Sequence, residues 1–367
     1  MFIKKENMIL ILVLFAFLLI FGLIENYFHL RNLRKIKYRI LINGTRGKTT
    51  VSKIIIQALN NHGIRTIGRT TGSEACIINP NGSINNFLRK KGARITEIIP
   101  FVRLCKKESV DCLVVECMAL NPENQKIFSS KLVKPTHVII TNSYIDHICE
   151  IGDDKNTTMW ALSNSVSKDS IIIATDAEYQ ELGNEFYLVN DSYQEVSELP
   201  VNRQSLNIGY TLLKLFGINK ECVLEAAKQI TPDIGLHDKL IVGSSVLYPY
   251  FSINDLDTMS KSIREIGEQC KISLIFNNRA DREYRIKTFE KALYENIEYV
   301  EKLYIIGDYP QKVKRYLSHW CRAEIIISNA NEIISEIINS ANAIFLGLGN
   351  IKGPGEAIVR YYTEENK

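Results

Sequence analysis

The stretch Leu41-Ile-Asn-Gly-Thr-Arg-Gly-Lys-Thr-Thr50 constrains this chain more than any other. It follows an apolar run, Ile40-Leu41-Ile42, and opens an amphipathic segment, Val51–Leu59. A strand, a glycine turn and a helix start in that order make a phosphate cradle. Gly44 and Gly47 let the backbone turn tightly and bring its N–H groups close to an anion, and the helix N-terminus adds partial positive charge. Asn43, Gly44, Thr45, Arg46, Gly47, Lys48, Thr49 and Thr50 are therefore the expected nucleotide contacts. In such a loop the lysine, Lys48, reaches the β- and γ-phosphates, and the Thr49 hydroxyl holds Mg²⁺. The spacing departs from the usual pattern, which has a glycine where Ile42 stands.

The rest of the chain alternates in the way such a loop requires. Apolar runs of strand length recur at Asp111–Val115, Thr136–Ile140, Ser170–Ala174 and Phe186–Val189, with segments of helical length at Glu123–Leu132 and Thr157–Val166 between them. Short, wholly apolar strands alternating with helices indicate a mostly parallel sheet covered on both faces. Ligands of such sheets sit beyond the carboxyl ends of the strands, where the phosphate loop lies. A helical stretch from Asn202 to Gly217 and a second, Lys220–Gln229, lead to Pro232-Asp-Ile-Gly235, which reads as a linker. Beyond it the alternation resumes at Val246–Tyr248, Ile272–Phe276, Leu303–Ile306, Glu324–Ile327 and Ala343–Leu346. The expected divisions are 1–37, 38–235 and 240–367, the last a smaller α/β domain without its own phosphate loop.

Charge matters mainly at the N-terminus. Residues 1–39 carry seven Lys or Arg against Glu6 and Glu25, which is +5 of the formal +4, so the remaining chain sums to −1 and offers no basic surface for nucleic acid. Met8–Ile24 is a run of 17 uncharged residues, at the short end of what spans a bilayer. No small-x-small cleavage site follows, which favours a retained anchor over a removed signal peptide. Five basic residues lie between Arg31 and Arg39, so the positive-inside bias puts the C-terminal side in the cytoplasm. The competing reading is an apolar helix packed on the body. The eight cysteines form no C-x-x-C pair and no zinc-spaced cluster, and Cys112 and Cys117 read as packing residues in a reducing compartment.

Few residues remain for chemistry. Glu116 ends the run Leu113-Val114-Val115, where a carboxylate can reach the phosphate loop and hold Mg²⁺. Asp146 and His147 follow the next strand and are expected to open on the same crevice. Arg279, Asp281 and Arg282 follow the strand Ser273–Phe276 in the second domain. They form either a solvated surface cluster or, if the second domain closes over the first, a grip on nucleotide from the opposite side.

The blocks Asn43–Thr49, Glu116-Cys-Met-Ala-Leu-Asn-Pro122, Asp146-His147, Asn278-Arg-Ala-Asp-Arg282 and Gly347-Leu-Gly-Asn-Ile351 resemble, in order, the poly-γ-glutamate synthase PgsB/CapB family. That family lies within the wider Mur ligase group of ATP-dependent amide ligases. The Glu116–Pro122 block is the most specific; the phosphate loop is common to the group. The resemblance implies an α/β fold with an N-terminal transmembrane helix, a Mur-ligase-like phosphate-loop domain with a mostly parallel sheet, and a smaller Rossmann-like domain. It also implies ATP and Mg²⁺, an acyl-phosphate intermediate, and integral-membrane subunits of the same synthase as partners. By the same carry-over Lys48, Glu116 and His147 are catalytic, Thr49, Glu116 and His147 hold the metal, and Arg279, Asp281 and Arg282 contact nucleotide. Thr70-Thr-Gly72 resembles a loop on the substrate side. Two departures stand out: Cys149 replaces an acid expected after Asp146-His147, and Gly235-Leu-His-Asp238 lacks an arginine expected after the glycine.

The resulting expectation is an ADP-forming ligase that joins an acidic amino acid, glutamate by resemblance, to a growing polymer at the inner membrane face. Two alternatives stay open: another Mur or folylpolyglutamate-type ligase, and a membrane-tethered phosphate-loop kinase or regulatory NTPase. A tyrosine autokinase would be expected to carry a tyrosine-rich tail, and this tail offers Tyr361-Tyr362.

Overall fold

A computed structural model of the 367-residue chain describes residues 5–71, 75–86, 93–145, 151–152, 154–193, 199, 201–230, 239–253, 256–268, 270–282 and 284–364. The chain divides into two compact units, one of Met1–Ser143, His147–Gln194 and Arg203–Ala226, the other of Tyr144–Asp146, Glu195–Asn202 and Ala227–Lys367.

The first unit begins with a long helix, α1 (Lys5–Leu33). Within its span Ile9–Leu33 an 18-residue window has a mean hydropathy of 2.7 and is unburied, so by length and composition the helix can cross a bilayer. Its last turns behave differently. Leu33 and the following Ile36 are buried in the core of the unit, and His29 hydrogen-bonds the Leu132 carbonyl at 2.8 Å. There follow β1 (Tyr38–Asn43), α2 (Lys48–Asn61), β2 (Thr66–Arg69), β3 (Cys76–Ile78), β4 (Ile84–Asn86), α3 (Ile98–Lys107) and β5 (Cys112–Glu116). Then come α4 (Pro122–Ile127), β6 (His137–Ile140), α5 (Lys155–Ser163), β7 (Ile171–Ala174), β8 (Phe186–Leu188), α6 (Arg203–Lys214) and α7 (Lys220–Gln229).

The strands form one sheet in the order β4-β3-β2-β5-β1-β6-β7-β8. All pairs from β2 to β8 are parallel; β3 and β4 are antiparallel additions at one edge. Every residue of β5 and β6 is buried, which is why these strands read as unbroken apolar runs rather than alternating ones. Register fixes what meets at the strand ends. Ile42 pairs with Glu116 and Asn43 with Ile140, so the turn that leaves β1 emerges between the ends of β5 and β6.

The second unit carries β9 (Leu240–Val242), β10 (Ser245–Tyr248), α8 (Leu256–Gly267), β11 (Ile272–Asn278), α9 (Tyr284–Glu295), β12 (Val300–Gly307), α10 (Pro310–Leu317), β13 (Glu324–Ile327), α11 (Ala330–Asn339), β14 (Ile344–Leu348) and α12 (Pro354–Glu364). Its sheet runs β13-β12-β11-β14-β10-β9, parallel except for β9. The chain steps outward from β11 to β13 and then returns to place β14 on the other side of β11. The crevice between β11 and β14 is thus the switch point of a Rossmann-like sheet.

The strand-length runs read from the sequence are all strands. The sequence reading assigns no element to residues 62–110, and the structure finds there β2, β3, β4 and α3, three of them strands of three or four residues. The helix expected over Glu123–Leu132 is present, but it widens to a π-helix over Phe128–Val133 after α4. The linker expected at Pro232–Gly235, and Gly235-Leu-His-Asp238 with it, lies outside the described residues.

Candidate nucleotide and metal site

The loop between β1 and α2 is held open by its two glycines and by the end of β6. Gly44 has φ 122° and Gly47, the residue capping α2, has φ 77°. A Cβ on Gly44 would collide with the Thr141 side chain and lie 2.9 Å from its backbone nitrogen, so the loop closes on β6 only with glycine there. Asn142 braces the other side. Its Oδ1 accepts from the Thr45 hydroxyl at 2.6 Å and from the Arg46 backbone N–H at 3.0 Å, and its Nδ2 donates to the Arg46 carbonyl at 3.2 Å. The Thr141 hydroxyl donates to that same carbonyl. Asn43, buried at the end of β1, donates to the Gln125 side chain at 2.7 Å, and Gln125 in turn donates to the Leu120 carbonyl at 2.8 Å.

Within this frame the Lys48 side chain folds back over the loop and its ammonium donates to the Gly44 carbonyl at 2.5 Å and the Thr45 carbonyl at 3.3 Å. Thr49 and the buried Thr50 continue the first turn of α2. The positive end of that helix and the Lys48 charge thus fall together at the loop, which is the electrostatics an anion requires.

Glu116 faces them from the end of β5 and is 1% exposed. Its Oε2 accepts from the Thr71 backbone N–H at 2.7 Å and from the Thr71 hydroxyl at 2.9 Å, while its Oε1 is buried without a hydrogen-bond partner. Burial raises its pKa above the ordinary glutamate range; the Thr71 N–H, the Lys48 charge and the Thr71 and Thr49 hydroxyls pull against that rise. A desolvated carboxylate oxygen with no partner is costly, and a cation beside it removes the cost. Mg²⁺ prefers one or two carboxylates completed by phosphate oxygens and water. The half-satisfied Glu116 beside the Thr49 hydroxyl therefore fits that ion, and the glycine cradle fits phosphate. Among the described residues no group of three or more His, Cys, Asp and Glu side chains is placed to hold a metal.

The sequence candidates fall into three sets. Lys48, Thr49 and Glu116 come together. Asp146 and His147, with Cys149, lie outside the described residues. Arg279, Asp281 and Arg282 form their own cluster after β11, in the second unit. Arg279 pairs with Asp281 at 2.7 Å, and Arg282 lies 3.9 Å from the same carboxylate.

Three contributors were not singled out from the sequence for what they do here. Thr141 and Asn142 shape the phosphate loop, and Thr71 holds Glu116. Of the Thr70-Thr-Gly72 stretch expected on the substrate side, Thr71 bonds the Glu116 carboxylate and Gly72 lies outside the described residues. The Asn121-Pro122 end of the Glu116–Pro122 block caps α4, with Asn121 accepting from the Glu123 and Asn124 N–H groups and Pro122 in the first turn. At the switch point of the second sheet, Asn350 donates to the Asn277 carbonyl at 3.0 Å and Asn277 donates to the Lys352 carbonyl at 3.0 Å. The buried Arg285 donates to the Asn350 side chain and, at 3.3 Å, to the Gly349 carbonyl. This network ties the Gly347–Ile351 motif to β11.

Residues 241–365 match the family model "Poly-gamma-glutamate synthase CapB C-terminal domain". The chain is 26% identical over 384 residues to the PGA synthase CapB of Bacillus subtilis (strain 168), covering 97% of this chain and 98% of that protein. It is 23% identical over 388 residues to the capsule biosynthesis protein CapB of Bacillus anthracis, covering 95% of this chain and 82% of that protein. Among solved structures, it resembles the bifunctional folylpolyglutamate synthase/dihydrofolate synthase of Yersinia pestis, determined with AMPPNP and a Mn ion, at a TM-score of 0.66 and 12% identity over 93% of this chain and 92% of that one. MurF of Acinetobacter baumannii gives a TM-score of 0.64 at 13% identity over 92% of this chain and 79% of that one. This chain is thus similar over nearly its whole length to the CapB poly-γ-glutamate synthase proteins, matches the CapB C-terminal domain model over residues 241–365, and shares its fold with Mur ligases and folylpolyglutamate synthases.

Proposed function

We propose that this protein is an ADP-forming amide ligase that extends poly-γ-glutamate at the inner face of a membrane. The observation that carries this reading is the convergence of Lys48, Thr49 and the half-satisfied Glu116 on one glycine cradle, in a chain related to CapB over nearly its whole length. A carboxylate is a poor electrophile toward amines. Its oxygen attacks the γ-phosphorus of ATP, the bond to the β-phosphate oxygen breaks, and ADP leaves behind an acyl phosphate. The amine of the next residue then attacks the acyl carbon, loses a proton, and expels inorganic phosphate as the amide forms.

The chain's own groups supply what this needs. Lys48 and the N-terminus of α2 offset charge on the transferred phosphoryl group, and Thr49 and Glu116 hold the cation. Mg²⁺ supplies further charge neutralisation when bound. By family resemblance His147 joins that set, and Arg279, Asp281 and Arg282 contact nucleotide. The unburied, apolar α1 serves as the anchor; the basic residues from Arg31 to Arg39 support a cytoplasmic position for the catalytic units, and the family resemblance supports integral-membrane subunits of the synthase as partners.

The test is ADP release by the purified full-length chain with ATP, Mg²⁺ and glutamate or a glutamyl oligomer, together with mass analysis of the product. Release that depends on the amino acid, with product growing one residue at a time, is expected, and Lys48→Ala should abolish both. Release without any amino acid, or phosphoprotein in place of amide, would identify an NTPase or kinase instead.

A further inference from the structure

We infer that the groove between α1 and α3 is a binding site for an anionic membrane lipid. The inference rests on the reading of α1 as a membrane anchor and goes beyond it, because an anchor needs no such groove. The cavity has a volume of about 610 Å³, within the range that holds small ligands.

Its two walls differ in chemistry. Phe21, Ile24 and Phe28 line it from α1, at positions three, four and seven residues apart, so they share one helix face. Arg103, Lys106 and Lys107 line it from α3, again on one face, while the opposite face of α3 buries Phe101, Val102 and Cys105 in the core. Glu25 is the one carboxylate in the lining, and it pairs with Arg103 at 2.7 Å. The groove therefore keeps a surplus of positive charge at one end of an apolar trough.

Depth gives the second argument. The uncharged run of α1 ends at Ile24, so Phe21 and Ile24 lie in the apolar stretch and the cations lie at its polar boundary. From Phe21 to Asn32 the helix rises about 16 Å, the distance from a headgroup to midway down an acyl chain. Asn32 closes the polar end. It is 6% exposed, it lines the groove, and its Oδ1 is buried without a hydrogen-bond partner. A lipid with a phosphate for the cations and an acyl chain for the aromatic wall matches both walls of the groove. Phosphatidylglycerol has that chemistry.

The experiment follows thermal unfolding of the full-length protein in neutral detergent micelles as lipid is added. Phosphatidylglycerol should raise Tm by several degrees, and phosphatidylcholine should leave it unchanged. The variant carrying Arg103→Gln, Lys106→Gln and Lys107→Gln should keep its lipid-free Tm and lose the response, because these side chains face outward. Lys106→Arg with Lys107→Arg should retain it. An equal response to phosphatidylcholine, a response surviving the triple substitution, or the same rise with inorganic phosphate alone would overturn the lipid site. Extraction of membranes with carbonate separates this from the anchor reading. Protein released by carbonate removes both, whereas protein retained but indifferent to phosphatidylglycerol removes the lipid site alone.

Discussion

Glu116 sets the terms at the scale of single residues. Burial holds its pKa above the ordinary range, so below the unfolded-state value the carboxyl is neutral in both states and costs nothing. As pH rises from there through the folded value, the unfolded chain ionises first and the native state is penalised. Glu116→Gln keeps an acceptor for the two Thr71 bonds and removes the buried charge. Without metal it should raise Tm by about 2–4 °C at neutral pH, the equivalent of about 1 kcal/mol, and by nothing in acid. The same variant should lose on the order of 10²-fold or more in ligase rate. Because a cation competes with the proton on this oxygen, Mg²⁺ affinity of the native chain should rise with pH through that same window, which titration calorimetry at several pH values reads directly.

Asn142 makes a contrasting case. Its Oδ1 serves both the Thr45 hydroxyl and the Arg46 N–H, so it shapes the loop from the side. Asn142→Ala removes both of these bonds from the loop. The KM for ATP should rise about tenfold or more while kcat changes less, as for a residue that positions the loop.

Elements decide what a sequence can reveal. β1, β5, β6 and β7 were legible because a strand covered on both faces must be apolar throughout, and Glu116 stood out as the polar residue ending such a run. β3 and β4 were not, since three residues are too few to establish a period and an antiparallel edge has one wet face. Thr71 escaped notice as a partner of Glu116 because their proximity comes from the β2–β5 register, a contact between residues 45 apart that no local pattern encodes.

The phosphate turn itself allows a sharper test. Gly183 has φ 75° with open space where a Cβ would go, so Gly183→Ala should cost about 1–2 kcal/mol for the left-handed backbone alone. Gly44 has φ 122° and backs directly onto Thr141, so Gly44→Ala pays the conformational term and a collision as well. Its fall in Tm should be at least twice that of Gly183→Ala, with nucleotide binding lost, as differential scanning and nucleotide titration of the two variants would show.

At the scale of the whole molecule, α1 serves two masters. Its outer part is apolar, unburied and uncharged, suited to lipid, whereas its last turns are built into the catalytic body. His29 is 3% exposed and bonded to Leu132, Leu33 is 2% exposed and Ile36 1% exposed. Burying each of the two aliphatic side chains contributes about 1.5–3 kcal/mol, comparable together with much of the net stability of a domain. Part of the expected 1–37 segment, from His29 to Ile36, is thus packed into the body. Removal of residues 1–24 should release a soluble, folded chain that binds nucleotide as the full-length protein does. Removal of residues 1–37 should strip these core residues away, lowering Tm by more than 5 °C or leaving an aggregate, and gel filtration with thermal unfolding of the two truncations distinguishes a detachable anchor from one that is half structural.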